Sequence, residues 1–146
     1  MIEISENKID GNSLNGLSLA FIGDAVYEIV VREHLLEHGS LQVGKLHKKT
    51  VDYVRASFQA EVFDFLEPLL DEAERGILHR GRNASATHIP KNANAIEYRK
   101  ATGVEALFGW LYLEQKGERI RELFHMILEH TEKEENSLKK NLSLNF

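Results

Sequence analysis

Two carboxylates in this chain stand among apolar neighbours. One lies in Leu19-Ala20-Phe21-Ile22-Gly23-Asp24-Ala25-Val26-Tyr27, the other in Gly103-Val104-Glu105-Ala106-Leu107-Phe108-Gly109-Trp110-Leu111. An ionised carboxyl left buried and unpaired is strongly unfavourable, so each needs a cation, a set of hydrogen-bond donors or a cleft. Both acids precede an Ala and have Gly nearby, and residues that small let two helices approach until their carboxylates share one ion. Oxygen-only ligation with open positions suits Mg²⁺ or Mn²⁺, which keep water and accept phosphate oxygens, the usual equipment for phosphodiester hydrolysis. The competing reading for either acid alone is a structural group bonded to a helix N-terminus or a buried Arg. Two such acids, on the two most apolar segments, shift the balance towards a metal site. Glu28, one turn after Asp24, is either an outer acid of that site or a residue of the helix rim.

The rest of the composition narrows the chemistry. There is no Cys, which excludes disulfides, thiolate zinc sites and Cys nucleophiles. The net charge of −5 disfavours a nucleic-acid partner only as a total, because the charge is segregated. Residues 61–74 carry Glu61, Asp64, Glu67, Asp71, Glu72 and Glu74 with no base. Residues 75–100 then carry Arg75, Arg80, Arg82, Lys91, Arg99 and Lys100 against Glu97 alone, with His79 and His88 among them. Lys45, Lys48, Lys49 and Arg55 face only Asp52 in residues 45–55. Solvated helical faces are the plain reading of such runs; phosphate contact is the functional one, with Arg80, Arg82, Lys91, Lys48 and Lys49 as the candidates. His47, His79 and His88 read as surface or phosphate-facing groups, because none sits in an apolar helix beside the acids. Phe108, Trp110 and Tyr112 read as core or dimer packing.

The elements that must position these groups are helical. At 146 residues, 42% hydrophobic and 28% charged, the chain has the size and balance of one folded core. No apolar run reaches bilayer length, and the N-terminus has no signal-peptide pattern, so a cytoplasmic location is expected. Residues 1–12 read as a loose leader. Ser13 or Asn15 can cap a first helix with apolar positions Leu17, Phe21, Ile22, Val26, Ile29 and Val30, ending at Gly39; its nearly all-round apolar character predicts a central place in a bundle. Helical patterns follow from Ser40 to about Tyr53 and from Val54 to Leu66, the latter with Phe58, Val62, Phe63 and Phe65 as core contacts. Pro68 suits the first turn of a helix over 68–79. Arg80–Asn94 has the turn chemistry of a loop, Ala95–Gln115 returns to helix closed by Gly117, and a last amphipathic helix carries Ile120, Leu123, Phe124, Ile127 and Leu128. The tail, 131–146, is polar enough to fray. No segment alternates as a strand, so the fold class is all-α.

The segment from Leu19 to Glu28 resembles the signature helix of the ribonuclease III family, L-E-F-L-G-D-A-V-L, and Ala101–Leu113 resembles its second motif, A-D-x-F-E-A-L-I-G-A-I-Y-L. The resemblance covers roughly residues 14–130 and is greatest to the family's Mini-ribonuclease III subgroup, which has the catalytic domain without a double-stranded-RNA-binding domain. Arg80-Gly81-Arg82-Asn83-Ala84 is similar to that subgroup's basic loop.

The resemblance implies a helical endonuclease domain over 13–130 that forms homodimers and cuts double-stranded RNA with Mg²⁺, Mn²⁺ being a possible substitute. It implies 5′-phosphate and 3′-hydroxyl products, maturation of precursor 23S rRNA ends in the bacterial cytoplasm, and a ribosomal protein or pre-ribosome as a possible partner. The family's metal-binding Asp falls on Asp24 and its catalytic Glu on Glu105. Ala20, Thr102 and Leu17 stand where the longer enzymes carry further acids, so fewer protein carboxylates are left to hold metal. Two other classes remain open: a non-cleaving binder of structured RNA in ribosome assembly, and a helical dimerisation module with no RNA role. Cleavage and RNA-binding assays separate them.

Overall fold

In a computed structural model that describes residues 5, 8–39, 42–84 and 89–144, no strand occurs among the described residues. Helix α1 spans Gly16–Glu37, α2 Val43–Val54, α3 Ala56–Leu66, α4 Glu72–Asn83, α5 Ala95–Leu113 and α6 Gly117–Leu144. The Asn15 side chain starts α1 by accepting from the Ser18 N–H at 2.8 Å. The leader is pinned at its end. There the Gly11 N–H donates to Glu114 at 3.2 Å and the Trp110 indole donates to Asn12 at 3.0 Å.

The central helix is α5, not α1. From Ala101 to Leu111 every residue except Glu105 is buried, and α1, α3 and α4 pack around it. In α1, Leu19, Val26, Tyr27, Val30, Val31 and Leu35 face the core, while Leu17, Phe21, Ile29 and Leu36 are exposed. Its apolar positions cover more than one face, and a single chain covers only the face turned to α5. Phe58, Val62 and Phe63 are buried as expected, whereas Phe65 is half-buried and stacks on His130 with ring centroids 4.1 Å apart.

Pro68 does not open the helix expected over 68–79; it lies in the 3-10 turn Glu67–Leu69. The helix begins instead at Asp71, whose carboxyl accepts from the Glu74 N–H while the Glu74 carboxyl accepts from the Asp71 N–H. Arg119 donates two further hydrogen bonds to Glu74, at 2.7 and 2.9 Å, tying α6 to the start of α4. Helix α4 then runs through Arg80 and Arg82 to Asn83, so the front of the expected Arg80–Asn94 loop is helical. The reason is packing: Gly81 rests on α5, where an added Cβ would sit 2.8 Å from the Gly103 Cα. Gly117 opens α6 rather than closing α5; the turn between them uses Gln115 at φ 59°. Beyond Thr131 the helix continues to Leu144, with exposed side chains and a His130–Glu134 pair at 3.2 Å across one turn.

Candidate active site at the crossing of α1 and α5

Helices α1 and α5 touch backbone to backbone. A Cβ at Gly23 would overlap the Glu105 carbonyl and come within 2.9 Å of the Gly109 N; a Cβ at Gly109 would overlap the Leu19 carbonyl and lie 3.0 Å from the Gly23 N. Only glycine permits this approach. Because Gly23 precedes Asp24 and its neighbour across the crossing is Glu105, the same contact that sets the helix spacing also sets the separation of the two acids.

The two carboxyls meet. Asp24 is exposed and Glu105 half-buried, so the expectation of two buried acids holds only in part. Burial, a hydrogen bond to Asp24 and the charge of Asp24 together push the Glu105 carboxyl up to about 8. At neutral pH without a counter-ion, the pair therefore retains a proton between them. Tyr27 supports the crossing from beneath, donating to the Tyr53 carbonyl at 2.9 Å and meeting Phe108 edge-on at 5.2 Å between centroids.

Around the pair, Ala20 and Thr102 are buried, and the Thr102 hydroxyl donates to the Tyr98 carbonyl at 2.9 Å. Among the described residues no three His, Asp or Glu side chains converge as a metal site would require. Glu28 pairs along its own helix with Arg32 at 3.5 Å.

The candidate phosphate-binding cations divide into two sets. Arg80 donates to the Leu14 carbonyl just before α1, and the Arg82 guanidinium lies 5.5 Å from the Phe63 ring centroid. Lys48, Lys49 and Lys91 are exposed, and no ion pair among the described residues engages them. His79 pairs with Glu67, a structural contact; His47 is exposed; His88 lies outside the described residues. Phe21, whose spacing predicts a core position, is 86% exposed.

Residues 17–116 match the model of the Ribonuclease III domain. The chain belongs to the ribonuclease III family. This family member is 43% identical over 121 residues to Mini-ribonuclease 3 of Symbiobacterium thermophilum, covering 83% of the chain and 93% of that relative. It is 48% identical over 114 residues to Mini-ribonuclease 3 of Brevibacillus brevis, covering 78% and 85% respectively. A crystal structure of a Fusobacterium nucleatum protein superposes with a TM-score of 0.73 at 30% identity, over 84% of this chain and 98% of that one. As a Mini-ribonuclease III-type member of an endoribonuclease family, the chain carries its two motif acids on the helices that form the tightest crossing of the fold.

Proposed function

We propose that this ribonuclease III-family chain is a Mg²⁺-dependent endoribonuclease, with Mn²⁺ a possible substitute, that cuts double-stranded RNA to 5′-phosphate and 3′-hydroxyl ends. In this reading Asp24 and Glu105 are its catalytic and metal-binding residues. It acts as a homodimer on precursor 23S rRNA in the cytoplasm. The observation that carries the reading is the meeting of Asp24 and Glu105 at the α1–α5 crossing, with the Glu105 carboxyl held up to about 8 by burial and by Asp24. Two carboxyls that retain a proton between them fit a divalent cation, since oxygen donors are what Mg²⁺ prefers and the cation offsets the repulsion the proton now relieves. Bound there, such an ion supplies an activated water and offsets charge on the scissile phosphate.

The chain's own residues do the rest. Asp24 is exposed, so an RNA backbone can approach it without a lid opening, whereas half-buried Glu105 sits where water is partly excluded. Exposed Phe21, three residues before Asp24, and exposed Leu17, one turn earlier, supply an apolar face next to the site. A second copy covering that face would set two acid pairs side by side, one for each strand. No described helix is long and apolar enough to cross a membrane.

The test is incubation of the purified protein with a precursor 23S rRNA duplex, with Mg²⁺ and then with EDTA. Cleavage should need Mg²⁺ and fall by about 100-fold or more in both Asp24→Asn and Glu105→Gln, the scale of removing one preorganised stabiliser of transition-state charge. Near-normal, Mg²⁺-dependent cleavage in either variant overturns the roles assigned to the acids. RNA binding without product from the unmodified protein would instead favour the non-cleaving role in ribosome assembly.

A further inference from the structure

Helix α2 carries two of the candidate phosphate contacts, Lys48 and Lys49, yet it is lightly held to the rest of the fold. Thr50 is its one buried residue, and the Thr50 hydroxyl is engaged within the helix, donating to the Leu46 carbonyl at 2.8 Å. No ion pair among the described residues joins α2 to another helix. The anchorage is at its last turn. There the Tyr53 ring meets Phe58 edge-on at 5.6 Å between centroids, and the Tyr53 carbonyl accepts from the Tyr27 hydroxyl at 2.9 Å. A carbonyl in the last turn of a helix has no partner within that helix, so Tyr27 supplies what α2 lacks.

Tyr27 in turn belongs to the fixed part of the molecule. It is 1% exposed and follows Asp24 by three residues on α1, which makes the two neighbours on the helix surface. Its ring meets that of Phe108 edge-on at 5.2 Å, and Phe108 follows Glu105 by three residues on α5. Tyr27 is thereby braced on both acid-bearing helices, while its hydroxyl reaches a third. Burial, the Tyr53 phenol and the Glu105 charge all push the Tyr27 phenol up, so the hydroxyl keeps its proton and stays a donor.

We propose that Tyr27 is a positioning residue: through the Tyr53 carbonyl it sets α2, and with it Lys48 and Lys49, at the distance from Asp24 and Glu105 that a duplex RNA backbone requires. The proposal rests on the RNA-cutting reading above and adds to it a residue that touches neither RNA nor metal. Lys49 and Lys48 leave α2 about 6 and 7.5 Å along the axis before Tyr53, so a tilt at the anchored turn is carried to both. The ammonium groups stay flexible; what Tyr27 fixes is the helix they leave from. Phosphates recur at set intervals along a duplex, so lysines on a displaced α2 lose their contacts once the scissile phosphate is seated at the acids.

The test is steady-state cleavage of an RNA duplex with Mg²⁺ at several salt concentrations. The unmodified chain is compared with Tyr27→Phe, a Lys48→Gln, Lys49→Gln double variant and the triple variant. Tyr27→Phe removes the hydroxyl alone and keeps the ring on Phe108, so the chain should retain its helices. The lysine double variant should make the dependence of log KM on log salt shallower by about two units, one for each phosphate released. Tyr27→Phe should make it shallower by about one unit or more and raise KM by about 10-fold at the lowest salt, the equivalent of one charge-assisted contact, with kcat at saturating RNA retained. Adding it to the lysine variant should change neither quantity further. A merely structural tyrosine would lower the urea midpoint and leave KM and its salt slope alone, and that result overturns the proposal. So do lysine variants without effect, Tyr27 and lysine effects that add in full, or a loss of kcat with KM unmoved. Absence of Mg²⁺-dependent cleavage by the unmodified chain is a different failure, which removes the RNA-cutting reading and this proposal with it.

Discussion

The acid pair and the basic face are held in place by opposite means. Asp24 and Glu105 project from a crossing where two helices touch through Gly23 and Gly109. The candidate cations are spread over α2, α4 and a turn, and Lys48, Lys49 and Lys91 are exposed with no ion-pair partner among the described residues. Chemistry at a reacting phosphate needs groups fixed to a fraction of an ångström, and backbone contact supplies that. Attraction to a charged polymer acts over several ångströms and tolerates flexible ammonium groups.

The largest effect that would break this contrast is on the crossing itself. Gly23→Ala places a methyl group into the Glu105 carbonyl, so the helices must separate or the chain must lose its packing. A loss of about 3 kcal/mol or more is expected from overpacking of this kind, read as the shift in urea midpoint, with cleavage lost alongside. Gly76 is the control: nothing lies within 4 Å of its added Cβ. Gly76→Ala should stabilise by about 0.4–1 kcal/mol through reduced freedom of the unfolded chain. Equal effects at the two glycines would show that the crossing is not the fixed part of the molecule.

A smaller effect comes from the proton the acids retain. The Glu105 carboxyl is raised from 4.5 to about 8 in the folded chain, so between those values the folded state binds more protons than the unfolded one. Stability without added metal must then fall as pH rises through this window, with a slope of at most about 1.4 kcal/mol per pH unit for one proton. The stabilising contribution is fully present below the lower value and lost above the upper one. Urea melts in EDTA from pH 5 to 8 measure this, and Glu105→Gln should flatten the slope. A slope unchanged by that substitution would place the titration elsewhere.

How much of this was legible in the sequence follows from the same contrast. The acid pair was, because a carboxyl in an apolar run beside small residues is a conflict that one chain can resolve in few ways. The all-α class was also legible, since helical periodicity persists from one end to the other. The place of Phe21 was not: an apolar residue on a helix has the same spacing whether it meets the core or a second molecule. Arg80-Gly81-Arg82-Asn83 reads as loop because Gly and Asn punctuate turns, yet Gly81 serves close packing against Gly103 and the helix runs on.

The finest test concerns the cations, which the sequence treats alike and the structure does not. Neutralising a side chain that binds one phosphate should make the salt dependence of RNA binding shallower by about one unit of slope. Lys48→Gln, Lys49→Gln and Lys91→Gln should do so without moving the urea midpoint, since no ion pair of the described fold uses these side chains. Arg80→Gln is expected to behave differently. Its guanidinium bonds to the Leu14 carbonyl, so the variant should also lose about 1 kcal/mol of stability. If Arg80→Gln costs stability but leaves the salt slope intact, Arg80 is a strut between α4 and the start of α1, and RNA attraction rests on the lysines. If all four variants leave the slope unchanged, Lys48, Lys49, Lys91 and Arg80 are solvated or structural charges rather than phosphate contacts.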